Sequence, residues 1–583
     1  MDKGKLIEKA QDYVRMERNE HFRSQVEQLL DEQDFEELND RFYTDLAFGT
    51  GGLRGVIGGG YNRMNPYTVR RATQGMANYI KNTVPASKAS VVIAYDSRNF
   101  SDLFAAEAAK VLCANGIKTF LFTSLRPVPE LSFAVRQLKT TAGIVVTASH
   151  NPPEYNGYKV YWDDGAQVVA PHDTGIISEV NRVSGPGAEM ELEEAISAGL
   201  LTMIDKQVDE PFIEMVKNQA IRPDLIRSMG KELKVVYTPL HGTGAVPVEN
   251  ALSQMGIEVL FVEEQKAPDG NFPTVDYPNP EEASALTLAL KKAREVKADL
   301  VMGTDPDADR LGIAAPEDDD YVLITGNQLG VLLADYIFSS RKELGTLPDK
   351  PAFITTIVTT RLQSLIARKF GAQCYITLTG FKYIGGKIRE FESQTDGPAY
   401  VFGGEESYGY LVNTEVRDKD AVSAATLTAE MALYHRTQGK TLLDRLREIW
   451  LEYGFFKEVT ISKTFKGESG KIKMDQLMDQ FRKNPPRDFA GSEVVTFKDF
   501  KDGTTLDIVR GSSEKNIDLP SSNVVQFDLE DQTIITVRPS GTEPKIKFYM
   551  SCCSKPGTVL DSAVSEVDGK IEAITDQLKK IID

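Results

Sequence analysis

Residues 298–310 read Ala298-Asp299-Leu300-Val301-Met302-Gly303-Thr304-Asp305-Pro306-Asp307-Ala308-Asp309-Arg310. The apolar half suits a strand covered on both faces, and the half that follows cannot prolong it. Alternating carboxylates are unsuited to a buried ladder, and Pro306 has no N–H to donate to one. Five further runs repeat the pattern: VVIAYDSRN from 91, GIVVTASHNP from 143, LKVVYTPLHGTG from 233, AFITTIVTT from 352 and AYVFGGEES from 399. Each ends in a tip rich in Gly, Ser, Thr or Asp and precedes a helical segment. Strand and helix in alternation mean α/β domains built on mainly parallel sheets, with one unit used several times. In such sheets reactive groups gather beyond the carboxyl ends of the strands, where all these tips lie.

Outward from this centre, 583 residues allow about four domains. The expected division is 1–205 (N-terminal helices and a first α/β domain with the serine tip), 206–322 (a second with the aspartate tip), 323–455 (a third with the Gly-Glu tip) and 456–583. Residues 5 to 40 carry apolar positions at helical spacing and read as one or two amphipathic helices. The last part has antiparallel strand and turn signals before a closing helix, an α+β pattern. Lys+Arg 67 against Asp+Glu 85 leaves a net charge of −18, with 41% hydrophobic and 26% charged residues. That composition excludes a disordered chain, and without a basic block no nucleic acid is expected as a partner. Four scattered cysteines make neither a disulfide framework nor a thiolate metal site. With no signal peptide and no long apolar run, neither export nor a membrane partner is expected, and a reducing cytoplasm is the expected location.

Three tips hold the chemistry. Asp305, Asp307 and Asp309 alternate in a tight loop, as hard divalent cations require, and are too few to fill the shell, leaving room for a phosphate oxygen. An EF-hand is excluded because its sixth and twelfth positions would be Arg310 and Pro316. Taken alone, the loop also reads as a solvated acidic turn. In Thr147-Ala148-Ser149-His150-Asn151-Pro152, Ser149 is placed as a nucleophile without the glycines of a hydrolase elbow, and equally as a turn residue. In Arg538-Pro539-Ser540-Gly541-Thr542, a guanidinium fork, two hydroxyls and a glycine are the parts of a phosphate cradle, or of a plain hairpin turn. Glu405 and Ser407 offer hydrogen bonds to sugar hydroxyls, and Arg54, Arg98, Lys159, Lys382 and Lys419 are basic residues at or near strand tips.

TASHNP, DPDADR, GEES and RPSGTEPK, in that order and at domain-sized separations, resemble the α-D-phosphohexomutases. The resemblance runs from GTGGLRG at 49 through the C-terminal part and is strongest to bacterial phosphoglucomutases of the branch that includes phosphopentomutases. It implies three related α/β domains and a C-terminal TBP-like α+β domain around a central cleft. It also implies an isomerase that interconverts glucose 1-phosphate and glucose 6-phosphate through a phosphoserine and glucose 1,6-bisphosphate, with Mg²⁺ as cofactor. Carried over, Ser149 is the phosphoserine, and Ser149, Asp305, Asp307 and Asp309 hold the metal. Arg54, His150, Lys159 and Lys382 join Ser149 in catalysis. Arg98, Arg310, Thr379, Glu405, Ser407, Lys419, Arg538, Ser540, Gly541 and Thr542 bind substrate. Sugar phosphates are the implied partners and the chain is expected to be a monomer or weak dimer. A phosphopentomutase, a phosphomannomutase, a sugar-bisphosphate synthase, a phosphatase and an inactive sugar-phosphate-binding homologue are the alternatives.

Overall fold

The computed structural model describes residues 2–465, 467–539 and 545–582, the side chains of 467–469 excepted. Three of its four sheets share one plan. In the first, the parallel strands Ser90–Tyr95, Lys118–Phe122 and Ala142–Val146 are arranged with the earliest in the middle, and Tyr155–Trp162 returns antiparallel beside the last. Gly52–Val56 and Leu201–Ile204 extend the edges. The second sheet repeats this with Val235–Thr238, Val259–Phe261, Leu300–Thr304 and the returning Leu311–Glu317. The third uses Pro351–Thr356, Gln373–Thr377, Ala399–Gly404 and Tyr410–Leu411.

The repeated unit therefore includes an antiparallel return strand, and the sheets are mixed. Its consequence is positional. The turn between the third parallel strand and the return strand carries Ser149 in the first sheet, the aspartates in the second and Glu405 in the third. Three chemically different loops occupy one topological place.

The fourth sheet is antiparallel, ordered Phe456–Thr464, Lys545–Cys553, Ile534–Pro539, Val525–Leu529, Ser492–Asp499, Thr504–Asp507 and Ser512–Glu514, with Asp488–Phe489 beside Ser492–Asp499. Its strands alternate, as one covered face requires. Val525, Phe527, Ile535, Val537, Ile546, Phe548 and Met550 pack under the helices Gly467–Lys483 and Leu560–Ile582. Gln526, Thr536, Arg538, Lys547 and Tyr549 line the opposite face.

One continuous apolar core runs through the three α/β domains and takes in Phe456 and Cys553 of the fourth, which also has a core of its own; a small cluster of Ile357, Val358 and Leu378 with Phe500, Val524 and Tyr549 joins the third domain to the fourth. The N-terminal segment forms three helices, Lys3–Met16, Glu20–Glu32 and Phe35–Phe42, where the spacing suggested one or two. Caps at Asn19 and Asp34 start the second and third. Among the described residues no helix is long and apolar enough to cross a membrane.

Candidate active site

Ser149 sits in the turn after Ala142–Val146 with φ +52°, a left-handed conformation that a side chain rarely takes. Its N–H donates to Thr147 Oγ1 at 2.8 Å, and its Oγ donates to Asp307 Oδ2 of the second domain at 2.8 Å. Lys159 lies on the return strand Tyr155–Trp162, and its Nζ donates to Ser149 Oγ at 2.7 Å and to Asp307 Oδ2 at 2.9 Å. Thr147 Oγ1 donates to the same carboxylate oxygen at 3.1 Å. The Ser149 hydroxyl is thus buried and hydrogen-bonded by two domains, with a cation against its oxygen.

The aspartates are buried, and one carboxylate oxygen of each lies within 4.8 Å of the others. Asp305 Oδ2, Asp307 Oδ1 and Asp309 Oδ1 are buried without a hydrogen-bond partner. Their remaining oxygens are used: Asp305 Oδ1 accepts from the N–H groups of Asp309 and Arg310, and Asp309 Oδ2 pairs with Lys419 Nζ at 3.0 Å. Lys419 also pairs with Asp418, whose Oδ2 accepts from Tyr161 at 2.8 Å. Arg310 is paired with Glu281. Five carboxylates therefore meet three cations in this network, leaving a deficit of two positive charges.

The proton affinities express the same strain. Burial pushes the Asp305 carboxyl well above its usual range, and the neighbouring Asp307 and Asp309 carboxylates push it further. Burial acts in the same sense on Asp307, but the Lys159 ammonium and the Ser149 hydroxyl outweigh it and hold that group low. Three buried carboxylate oxygens without partners, one from each clustered aspartate, fit one hard divalent cation.

Around this centre the third domain supplies Glu405, buried, whose Oε1 accepts from Gly380 N at 2.7 Å, with Ser407 half-buried on the same turn and Thr379 just before Gly380. Lys382 opens the helix Phe381–Glu392 and reaches back to the Thr50 carbonyl of the first domain at 3.5 Å. Arg54, on the edge strand Gly52–Val56, donates to Asn151 Oδ1 at 3.4 Å. His150 has a buried Nδ1 without a hydrogen-bond partner, and burial together with the Arg310 and Arg54 charges pushes its ring well below the usual histidine range. Arg538 lies on the open face of the fourth sheet opposite Lys547, close enough for its charge to act on Tyr383 of the third domain. Ser540, Gly541 and Thr542, also expected to bind substrate, lie outside the described residues.

Arg98 needs a correction. Expected among the substrate contacts, its side chain is fully buried, and its guanidinium donates to the carbonyls of Ser149 at 2.5 Å, Pro152 at 2.8 Å, Tyr155 at 3.0 Å and also Asn151. Asp96 sits 3.5 Å from its Nε. The guanidinium satisfies carbonyls of the serine turn and of Tyr155, the first residue of the return strand. It grips the turn from behind.

Sequence reasoning missed Asp418, Glu281 and the part played by Thr147. Thr147 lies inside a quoted motif and Asp418 directly before Lys419, so their neighbours were the available signal; Glu281 lies beside no residue singled out in the sequence.

Models of the family described as phosphoglucomutase/phosphomannomutase match this chain over residues 45–185, 210–318 and 325–453, as its α/β/α domains I, II and III. A phosphoglucomutase of Staphylococcus haemolyticus is 38% identical over 518 residues, 88% of this chain and 91% of that protein. One of Staphylococcus aureus is 36% identical over 557 residues, 94% and 95% of the two chains. Among solved structures, a Paramecium parafusin described as a phosphoglucomutase shares the fold at a TM-score of 0.67 and 18% identity over 93% of this chain and 95% of its own. A phosphoglucomutase/phosphomannomutase family protein of Burkholderia thailandensis does so at 0.65 and 19% over 92% and 98%. With relatives at this identity along nearly the whole length, and a buried serine facing three aspartates where the related domains meet, the chain belongs to the α-D-phosphohexomutase family.

Proposed function

We propose that Ser149 is the phosphoryl carrier through which this phosphoglucomutase interconverts glucose 1-phosphate and glucose 6-phosphate. The observation that carries the reading is the contact of Ser149 Oγ with both Asp307 Oδ2 and Lys159 Nζ. From the phosphorylated enzyme, a sugar hydroxyl attacks phosphorus. The P–O bond to Ser149 breaks as the P–O bond to the sugar forms, and the proton the sugar hydroxyl loses balances the one Ser149 Oγ gains. Lys159 holds its ammonium beside that oxygen and stabilises the charge gathering there. The product of this half-reaction, glucose 1,6-bisphosphate, turns over and returns its other phosphoryl group to Ser149.

Asp305, Asp307 and Asp309 would hold Mg²⁺, which when bound withdraws charge from the transferring phosphoryl oxygens. Glu405 and Ser407 would receive the sugar hydroxyls, and Arg538 with Ser540, Gly541 and Thr542 the phosphate that is not reacting. Arg54, Arg310, Lys382 and Lys419 supply cations in a chain of net charge −18, and His150, neutral, is available to accept a proton. We place the enzyme in the cytoplasm as a monomer or weak dimer; its four unpaired cysteine thiols suit a reducing compartment.

The test is Ser149→Ala. Turnover of glucose 1-phosphate with Mg²⁺ and a trace of glucose 1,6-bisphosphate should fall by about 10⁴-fold or more, while the melting temperature stays near the parent's. Intact mass should show one phosphoryl group on the parent and none on the variant. Near-parental turnover in the variant would discard the assignment. Mannose 1-phosphate and ribose 1-phosphate in the same assay separate glucose from mannose and pentose preference.

A further inference from the structure

Glu281 lies in YPNPEE, residues 277–282, a stretch without a catalytic motif, and the fold sets its carboxylate on the guanidinium of Arg310. The backbone there is anchored: Glu281 N donates to Asn279 Oδ1 at 3.2 Å. A Cβ on Gly312 would come within 2.5 Å of the Pro280 carbonyl, so this loop rests directly on the strand that follows the aspartates.

Arg310 stands between two sets of carboxylates. Its backbone N–H is bound to Asp305 Oδ1, and its Nε lies 3.9 Å from Asp309 Oδ1 without a hydrogen-bond partner. Asp309 Oδ1 is one of the three buried oxygens of the aspartate cluster without a hydrogen-bond partner. An inward shift of about 1 Å would turn that separation into a charge-assisted hydrogen bond. Three crowded carboxylates attract a guanidinium in that direction, strongly so where water is sparse. The shift would take an oxygen from the cation and withdraw the arginine from the cleft. Glu281 is bound to a different nitrogen of the same guanidinium, Nη1.

We propose that Glu281 is the positioning residue for Arg310. It holds the guanidinium outside the aspartate cluster, leaving Asp309 Oδ1 to the divalent cation and the other guanidinium N–H groups to the sugar phosphate. The proposal rests on the reading above, in which Arg310 contacts substrate. Glu281 itself touches none of the reacting atoms. Its side chain is 29% exposed at the cleft rim, so replacing it leaves the core intact.

The experiment compares the parent with Glu281→Ala, Glu281→Asp, Arg310→Ala and the double variant Glu281→Ala/Arg310→Ala. Mg²⁺ binding is read by calorimetry without substrate, and KM and kcat for glucose 1-phosphate are read at saturating Mg²⁺. Glu281→Ala should weaken Mg²⁺ binding about tenfold and raise KM about tenfold with kcat within about threefold. Glu281→Asp should recover most of both. In the Arg310→Ala background, removing Glu281 should leave Mg²⁺ binding unchanged, because no guanidinium remains to restrain. Parental Mg²⁺ binding and KM in Glu281→Ala would overturn the proposal, as would an equal loss of Mg²⁺ affinity in both backgrounds, which would reduce Glu281 to a general negative charge. If Arg310→Ala keeps the parental KM, the substrate role of Arg310 fails, and the Mg²⁺ comparison alone then decides whether Glu281 positions it.

Discussion

At Ser149 the backbone conformation costs about 1–2 kcal/mol for a residue with a Cβ, and hydrogen bonds from a charged donor contribute about 1.5–3 kcal/mol each. Arg98 makes four of them to the carbonyls of this turn, so the clamp outweighs the strain. Arg98→Lys should therefore lower kcat about 10- to 100-fold with KM within about twofold, since one ammonium cannot span carbonyls from Ser149 to Tyr155 and a misplaced nucleophile slows transfer more than binding. Phosphate incorporation at Ser149 and steady-state kinetics check this; an unchanged kcat would mean that the turn holds itself. From sequence, Arg98 is one more basic residue at a strand tip. Whether such a residue faces the cleft or the loop behind it depends on unsatisfied carbonyls contributed some 50 residues later, which no local pattern displays.

Among elements, the aspartate loop is braced by the loop 239–244. Thr243 gives both its N–H and its hydroxyl to the Pro306 carbonyl, at 2.8 Å and 2.9 Å. Gly242 is what permits this approach. A Cβ there would lie 2.3 Å from Pro306 Cα and 2.6 Å from its carbonyl oxygen, and its φ is not in the left-handed region, so steric contact alone sets the requirement. Gly242→Ala should cost about 1–3 kcal/mol of stability and weaken Mg²⁺ binding about tenfold by displacing the loop. Thermal unfolding and calorimetry read the two effects, and parental values for both would remove the brace. The apolar runs and polar tips of this unit are visible in sequence. The antiparallel returns are not, because Tyr155–Trp162 and Leu311–Glu317 become strands through pairing with a neighbour already in place.

The whole molecule divides into a three-domain body with a shared core, which Phe456 and Cys553 of the fourth domain join at its margin, and a fourth domain with a further core of its own. Between the third and fourth lies a cavity of about 420 Å³, bounded by Thr355, Thr356 and Arg361 on one side and Lys498, Gln526 and Ile534 on the other. The seam is partly apolar, with Ile357, Val358 and Leu378 packed against Phe500, Val524 and Tyr549, but the space left open beside it gives the fourth domain room to swing, and Arg538 travels with it. Arg538→Ala should raise KM and lower kcat together, each about tenfold, because the lost fork both holds the distal phosphate and draws the domain inward. Arg538→Lys should recover part of the loss. Small-angle scattering of the parent should show compaction with glucose 1-phosphate. Unchanged kinetics in the alanine variant would remove Arg538 from the site, and altered kinetics without compaction would keep the contact and discard the swing.

The sequence by itself determined the class of the three α/β sheets, the antiparallel character of the C-terminal part and which tips carry Ser149, the carboxylates and the basic residues. These follow from properties carried within a few residues: β-branched runs, proline and glycine at strand ends, alternation in the last domain. Only the tertiary structure decided the pairings: Lys159 with Ser149 and Asp307, Lys419 with Asp309 and Asp418, Glu281 with Arg310, Arg98 with four carbonyls. Apart from Lys419 with its neighbour Asp418 and Lys159 with Ser149 ten residues away, each pairing joins segments far apart in the chain. The partner of a buried charge is selected by which strand ends the packing of apolar faces brings together, and that packing is specified by whole domains rather than by the few residues on either side of the charge.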